Sequence, residues 1–234
     1  MKTRSKLLII SLAALFSLSA VAEEERPYYF EFGFGRSNGY VPYTGELPSG
    51  RYSGASVASV ALGKQFNDRI AFDVELSYRG EYTNNDDSLN TTDGIQKATT
   101  SINSISTMLN GYFVYYNKHP DFKPYITAGA GISRNKTGKT TVSGTDANND
   151  QLTISQDGNT NTSFSWKLGS GIRYKLDSSF DVDLRYQYVD LGNVSINNTT
   201  TAYSDGSYQG TSTEAIKTSR LSSHEILVGI IYKF

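Results

Sequence analysis

From residue 28 onward, apolar side chains recur at every second position, in run after run. Tyr28, Phe30, Phe32 and Phe34 share one parity; Tyr29, Glu31, Gly33 and Gly35 share the other. Successive strand residues point to opposite faces, so each parity marks one face of a strand. Ile70, Phe72, Val74, Leu76 and Tyr78 alternate in the same way with Ala71, Asp73, Glu75, Ser77 and Arg79. Phe164–Leu176, Phe180–Tyr188 and Glu225–Phe234 repeat the pattern. Ala55–Phe66, Asn103–Tyr116 and Lys123–Arg134 carry it more weakly. In Asn103–Tyr116 both faces read partly apolar; Thr107, Leu109, Gly111, Phe113 and Tyr115 are the better candidates for the outer one. In Lys123–Arg134 the corresponding set is Ile126, Ala128, Ala130 and Ile132. These eight runs predict eight strands of about 11 residues, the length at which a tilted strand crosses a bilayer.

A soluble sandwich also alternates. Here, however, one face carries charges of both signs at high density, and the other is aromatic at both ends. That is the arrangement of a membrane barrel with two aromatic girdles. The connections alternate as well. Asn67-Asp68, Asn117–Phe122 and Asp177–Ser179 are short, whereas Arg36–Gly54, Gly80–Ile102, Asn135–Thr162 and Leu191–Ser222 are long. Short turns on one side and long loops on the other are expected of an outer-membrane barrel. The predicted fold is therefore all-β: an eight-stranded antiparallel transmembrane β-barrel with short periplasmic turns and four long extracellular loops. Segments such as Gln151–Gln156 alternate within the loops and could prolong the wall above the membrane.

Eight strands enclose an interior just wide enough for side chains. The inward set contains Glu31, Asp73, Glu75, Asp183 and Glu225, with Arg79, Lys167, Arg173 and Arg185. Buried charge is costly unless paired. The near balance of acids and bases thus predicts a salt-bridged plug; an open water channel usually takes about 16 strands or more.

The first residues are an address. Lys2, Arg4 and Lys6 precede the apolar stretch Leu7–Leu18, and Ala20-Val21-Ala22 is a small-x-small cleavage site before Glu23. This reads as a secretory signal peptide over 1–22, with cleavage defined by Ala20, Ala22 and Glu23, leaving a single barrel domain over 23–234. The 22 Lys+Arg against 23 Asp+Glu leave no basic footprint for nucleic acid. The absence of cysteine removes disulfides, thiolate metal sites, cysteine nucleophiles and a lipoprotein anchor. With two histidines, no metal site and no cofactor are expected.

The same two histidines limit catalysis. His119 falls in a short turn before Pro120. His224 shares the outward parity of Ile226 and Val228, with Ser222 on the same face near the outer rim. A lipid-facing Ser/His pair there would suit a lipid A deacylase. Glu225 points to the opposite face, however, so the acid that should orient the base is missing. Gly33-Phe-Gly35 and Gly129-Ala-Gly131 are not followed by helices and do not read as phosphate loops. Asn197-Asn-Thr199 and Asn198-Thr-Thr200 match glycosylation acceptors that carry no meaning in a bacterial envelope.

The chain closes on Val228, Ile230, Tyr232 and a terminal Phe234 at alternate positions, which resembles the signal read by the barrel assembly machinery. Together with Pro124–Ser133, Leu184–Gly192 and Gly229–Phe234, this layout resembles the small outer-membrane barrels of the OmpA-like and opacity (Opa)-like surface protein superfamily. The resemblance implies the outer membrane of a Gram-negative bacterium. Its implied neighbours are membrane lipid and lipopolysaccharide, the assembly machinery during biogenesis, and a host or environmental ligand at the loops. No peptidoglycan-binding domain follows, so no cell-wall tether is expected. Members serve as adhesins, immune-evasion factors, anchors or minor pores. The expected role is accordingly a non-enzymatic surface protein acting through its loops in adhesion or envelope structure. The alternatives are a small porin-like channel and a lipid A-modifying hydrolase.

Overall fold

The structure, a computed structural model, describes residues 27–42, 50–52, 54–91, 94–115, 121–145, 151–205, 207–213 and 218–234. The expected leader with Ala20, Ala22 and Glu23, and the turn carrying His119, lie outside the described residues. The described strands are β1 (Tyr28–Val41), β2 (Gly50–Arg51), β3 (Ala55–Gln65), β4 (Ile70–Thr91), β5 (Gly94–Val114) and β6 (Phe122–Thr137). They continue with β7 (Thr140–Thr145), β8 (Gln151–Gly158), β9 (Thr160–Lys175), β10 (Phe180–Ser204), β11 (Ser207–Thr213) and β12 (Thr218–Lys233).

Eight of these form a closed antiparallel barrel in the order β1, β3, β4, β5, β6, β9, β10, β12, and β12 pairs back onto β1. The seam closes at the chain's end, where Phe234 N donates to Tyr28 O at 2.9 Å. Closure matters because an unpaired backbone amide in hydrocarbon costs several kcal/mol, about what a polar group loses without a partner. Two hairpins on this side turn by the same device. Asn67 Oδ1 accepts from the backbone amides of Arg69 and Ile70, and Asp177 Oδ1 from those of Ser179 and Phe180. An Asx side chain substitutes for the backbone acceptor that a tight turn lacks.

The two faces separate as the alternation demands. Phe34 is 66% exposed on the lipid side, whereas Glu31 is 1% exposed inside. In β5 the ambiguity resolves with Met108, Asn110 and Tyr112 inside and Ile105, Leu109 and Phe113 outside. Glycine makes room for the inward tyrosines. A Cβ at Gly63 would sit 2.2 Å from Cζ of Tyr29, so a side chain there excludes the ring. Gly192 is different: its φ of 75° lies in the left-handed region, at the bulge where β10 slips register against β12.

Among the described residues, the four stretches read as loops are largely strand. β1 continues to Val41, β4 to Thr91, β6 to Thr137 and β10 to Ser204. β7 and β8 form a hairpin that pairs with β5 on one side and β10 on the other. Above the point where β6 and β9 stop, this hairpin takes their place in the wall. β11 adds to β10 as a further strand. The extension follows from hydrogen-bond supply, since each rung added above the membrane pairs backbone groups with a neighbour already held in register. The result is a crown that is tall over β4, β5 and β10. It is low over the described ends of β12, β1 and β3.

Substituting Gly63→Ala should cost about 1–3 kcal/mol by overpacking. In combination with Tyr29→Leu the cost should be less than additive, as read from denaturant midpoints of the detergent-solubilised barrel.

Candidate functional site

Inward side chains fall into three layers. At the periplasmic end Tyr29, Ala71, Tyr112, Val114, Tyr125 and Ile231 form an apolar and aromatic cluster. At the outer end Val41, Tyr52, Tyr82, Ile102, Met108, Leu191 and Leu221 belong to a second cluster. All nine of the charged residues singled out above are buried in the lumen, Arg173 among the rings of the periplasmic cluster.

Eight of the nine face an opposite charge within 4.0 Å, in a separate Arg79–Glu225 pair and a larger group around Arg185. Arg79 grips Glu225 with two nitrogens, at 2.6 and 3.1 Å, and both side chains are fully buried. Glu225 also accepts from Gln187 at 2.8 Å and from Ser37 and Ser223 at 2.9 Å each. Lys167 donates to Glu75 at 2.8 Å. Arg185 bridges Glu31 at 2.9 Å and Glu75 at 3.5 Å, and donates to the Tyr112 hydroxyl at 3.0 Å. Asp73 is held by Asn110 at 2.6 Å and by the Tyr29 hydroxyl at 3.2 Å. Asp183 accepts from the Tyr125 hydroxyl at 2.8 Å and lies 3.7 Å from Arg173. Arg173 reaches Glu31 only at 3.8 Å, and its guanidinium is stabilised mainly by rings. Tyr112, Tyr125 and Tyr29 face it at 4.6, 5.0 and 5.4 Å. A guanidinium between aromatic faces gains cation–π attraction where water is excluded.

The apolar outer cluster escaped the sequence reading, because Gly80–Ile102 and Leu191–Ser222 read as loops. A signal was present in Val189 and Leu191, which continue the parity of Asp183, Arg185 and Gln187. Apolar residues on the charged face mark a strand whose lumen has changed character. Ser133 and Asn135 pin this end by donating to the Leu191 carbonyl.

At the outer rim His224 is exposed and occupied by aromatics. Its Nδ1 lies 2.7 Å from the Tyr186 hydroxyl, and its ring contacts Tyr188 edge-on at 5.2 Å. Trp166 packs on Tyr188 at 5.5 Å. This is an interfacial aromatic belt. Ser222 shares the face of His224 but pairs across the ladders with Tyr40 and Asp190, while Glu225 is committed to Arg79 inside. The arrangement therefore offers no acid–base–hydroxyl relay of the kind nucleophilic hydrolysis requires. Among the described residues no group of three or more His, Asp or Glu is placed to hold a metal ion. The closing residues Val228, Ile230, Tyr232 and Phe234 all face outward on β12 and at its end.

A closed antiparallel barrel with a lipid-facing apolar band, a charged interior and polar strands beyond one rim defines a Gram-negative outer-membrane β-barrel protein. The chain belongs to the outer membrane protein β-barrel domain family, whose model matches residues 8–234. It is 27% identical over 191 residues to the outer membrane protein PagN of Salmonella typhimurium, a match covering 79% of this chain and 75% of that one. Among solved structures, neisserial surface protein A matches 88% of this chain and 97% of its own, with 16% identity and a TM-score of 0.47. The outer membrane protease OmpT of Escherichia coli matches 93% and 100%, with 12% identity and a TM-score of 0.43.

Arg79→Met strands the Glu225 carboxylate in the lumen and should cost about 3–5 kcal/mol. Arg79→Met with Glu225→Met should recover most of that loss. Trp166 is the single tryptophan, so its fluorescence during guanidinium unfolding in detergent reports both variants.

Proposed function

We propose that the protein is a non-enzymatic surface protein, in which a plugged barrel anchors an adhesive crown. The observation that carries this reading is the crown itself. β7 (TTVSGT), β8 (QLTISQDG) and β11 (SYQGTST) are polar strands rich in hydroxyl side chains. They are built onto the wall beyond the length a membrane crossing needs, since β10 has 25 residues where about 9–11 suffice. β11 is accessible on both faces and presents Tyr208, 62% exposed. An exposed strand edge with hydroxyls and an aromatic suits recognition by backbone pairing and stacking. Rigid attachment of the crown to β5 and β10 lowers the entropy lost on binding.

The lumen supports the anchoring half of the reading. Two apolar layers flank the ionic one, and each buried charge sits among opposite charges, hydroxyls or rings. Ion passage would require these partners to separate in a medium of low dielectric. The capture of His224 by Tyr186 argues in the same way against a hydrolase at the rim.

Two measurements test the halves separately. Folded protein extracted from the membrane should give no steady conductance in planar bilayers, and repeatable steps would make it a pore. Replacing Thr199–Thr213 by a short turn should abolish attachment of expressing cells to host-cell monolayers while heat-modifiable gel mobility stays unchanged. Undiminished attachment would leave a purely structural role.

A further inference from the structure

The lipid face of the barrel is not uniformly ridged. The outward residues of β3 are small near the outer rim: Ser56, then Ala58, then Val60. Their ladder partners on both sides are large. Ala58 lies between Phe34 and Tyr78, and Val60 between Phe32 and Leu76. β3 is therefore the floor of a furrow with aromatic and aliphatic walls. The hollow is an open groove of about 1050 Å³, slightly larger than the pockets of about 300–1,000 Å³ that hold drug-sized ligands. Ser56, next to Gly80 across the ladder, lines the end of the hollow nearer the rim.

Cations stand where the furrow ends. Arg36 shares the outward face of Phe34 and pairs across the ladder with Ser56; a Cβ at Gly54 would fall 2.4 Å from its Nε, so its head reaches the rim. Across Tyr78 and Ile105, Arg134 lines two smaller hollows of about 260 and 230 Å³, and Lys136 lines the second. Both hollows share Ile105 with the furrow, and Arg134 lies above the outward Ile132. Arg36, Arg134 and Lys136 are all exposed, and none has a carboxylate in ion-pairing distance among the described residues. This contrasts with the lumen, where every arginine is spoken for.

We propose that this face is a binding site for one phosphorylated, multiply acylated glycolipid of the outer leaflet, lipid A. One acyl chain lies along β3 on Ala58 and Val60, a second rests against Ile105 and Ile132, and the phosphorylated head spans Arg36 to Arg134 and Lys136. The charge complementarity selects an anionic lipid over a zwitterionic one. The small floor selects a chain over the side chains of a protein helix, which would need a broader trough. No bond is made or broken.

The test uses protein purified from the outer membrane in detergent and native mass spectrometry with added diphosphoryl lipid A. Wild type should retain one lipid. Ala58→Trp fills the furrow and should weaken retention at least about tenfold, whereas Leu184→Trp on the opposite lipid face should leave it unchanged. The triple variant R36Q/R134Q/K136Q should weaken it about a hundredfold, at roughly a factor of five per cation near a charged surface. Dephosphorylated lipid A should bind wild type with that same loss and should not discriminate the triple variant. Heat-modifiable mobility verifies that each variant is folded. Equal retention by wild type and Ala58→Trp overturns the proposal. So does equal retention of the two lipids by wild type. A lipid-free dimer that Ala58→Trp dissociates would assign the furrow to a second copy of the chain and likewise overturn it.

Discussion

Every feature of this molecule depends on the closure of β12 onto β1. A sheet in hydrocarbon cannot leave an edge, because water is not there to satisfy the unpaired groups. The twelve-residue register from Tyr29 opposite Lys233 to Tyr40 opposite Ser222 removes that edge along the whole crossing. Once the sheet is closed, its two faces have different solvents. Lipid receives Phe32, Phe34 and Ile230, and the interior of the barrel receives the charges. The ionic network is thus a consequence of closure. Side chains that would be solvated on an open sheet must find partners across the lumen, and Arg79 finds Glu225 from 146 residues away.

The barrel itself was readable in the sequence, since period two is imposed separately on every strand and each run states its own register. The outward face of β1 and the inward charges of β4 and β10 are written locally in residues 28–35, 70–79 and 180–188. The partners were not. Which base meets which acid depends on how strands shear past one another, and Asp73 illustrates the point: Asn110 and Tyr29 hold it, not an arginine. The crown was legible only in part: the alternation of Gln151–Gln156 marked what is β8, and the rest escaped for another reason. β11 is solvated on both faces, so its side chains carry no alternation. Asn, Ser and Thr read as loop even where backbone pairing makes them strand.

The balance between the layers follows from the dielectric. A charge pair in the lumen is weak evidence for stability, because desolvation offsets much of its attraction. Its distinct effect is on register. Arg185 meets Glu31 and Glu75, and Arg173 meets three tyrosine rings, in one alignment of the strands. A slip by one residue would turn these charges into lipid. The apolar layers above and below supply burial without that selectivity, and the glycines that admit Tyr29 and Tyr125 keep the wall smooth where the rings pass beneath it.

The crown also constrains how the protein reaches its place. Its strands lie on the far side of the membrane from the turns at Asn67 and Asp177, so they must be carried through before the seam shuts. Ionised side chains would resist that passage far more than hydroxyls and amides. β7 and β11 contain no charged residue at all, and β8 contains one, Asp157. In these three added strands, the chemistry that makes a polar display is therefore also the chemistry of a cargo that can be threaded; Glu81, Asp86, Asp87 and Lys97 lie on the prolonged β4 and β5 instead.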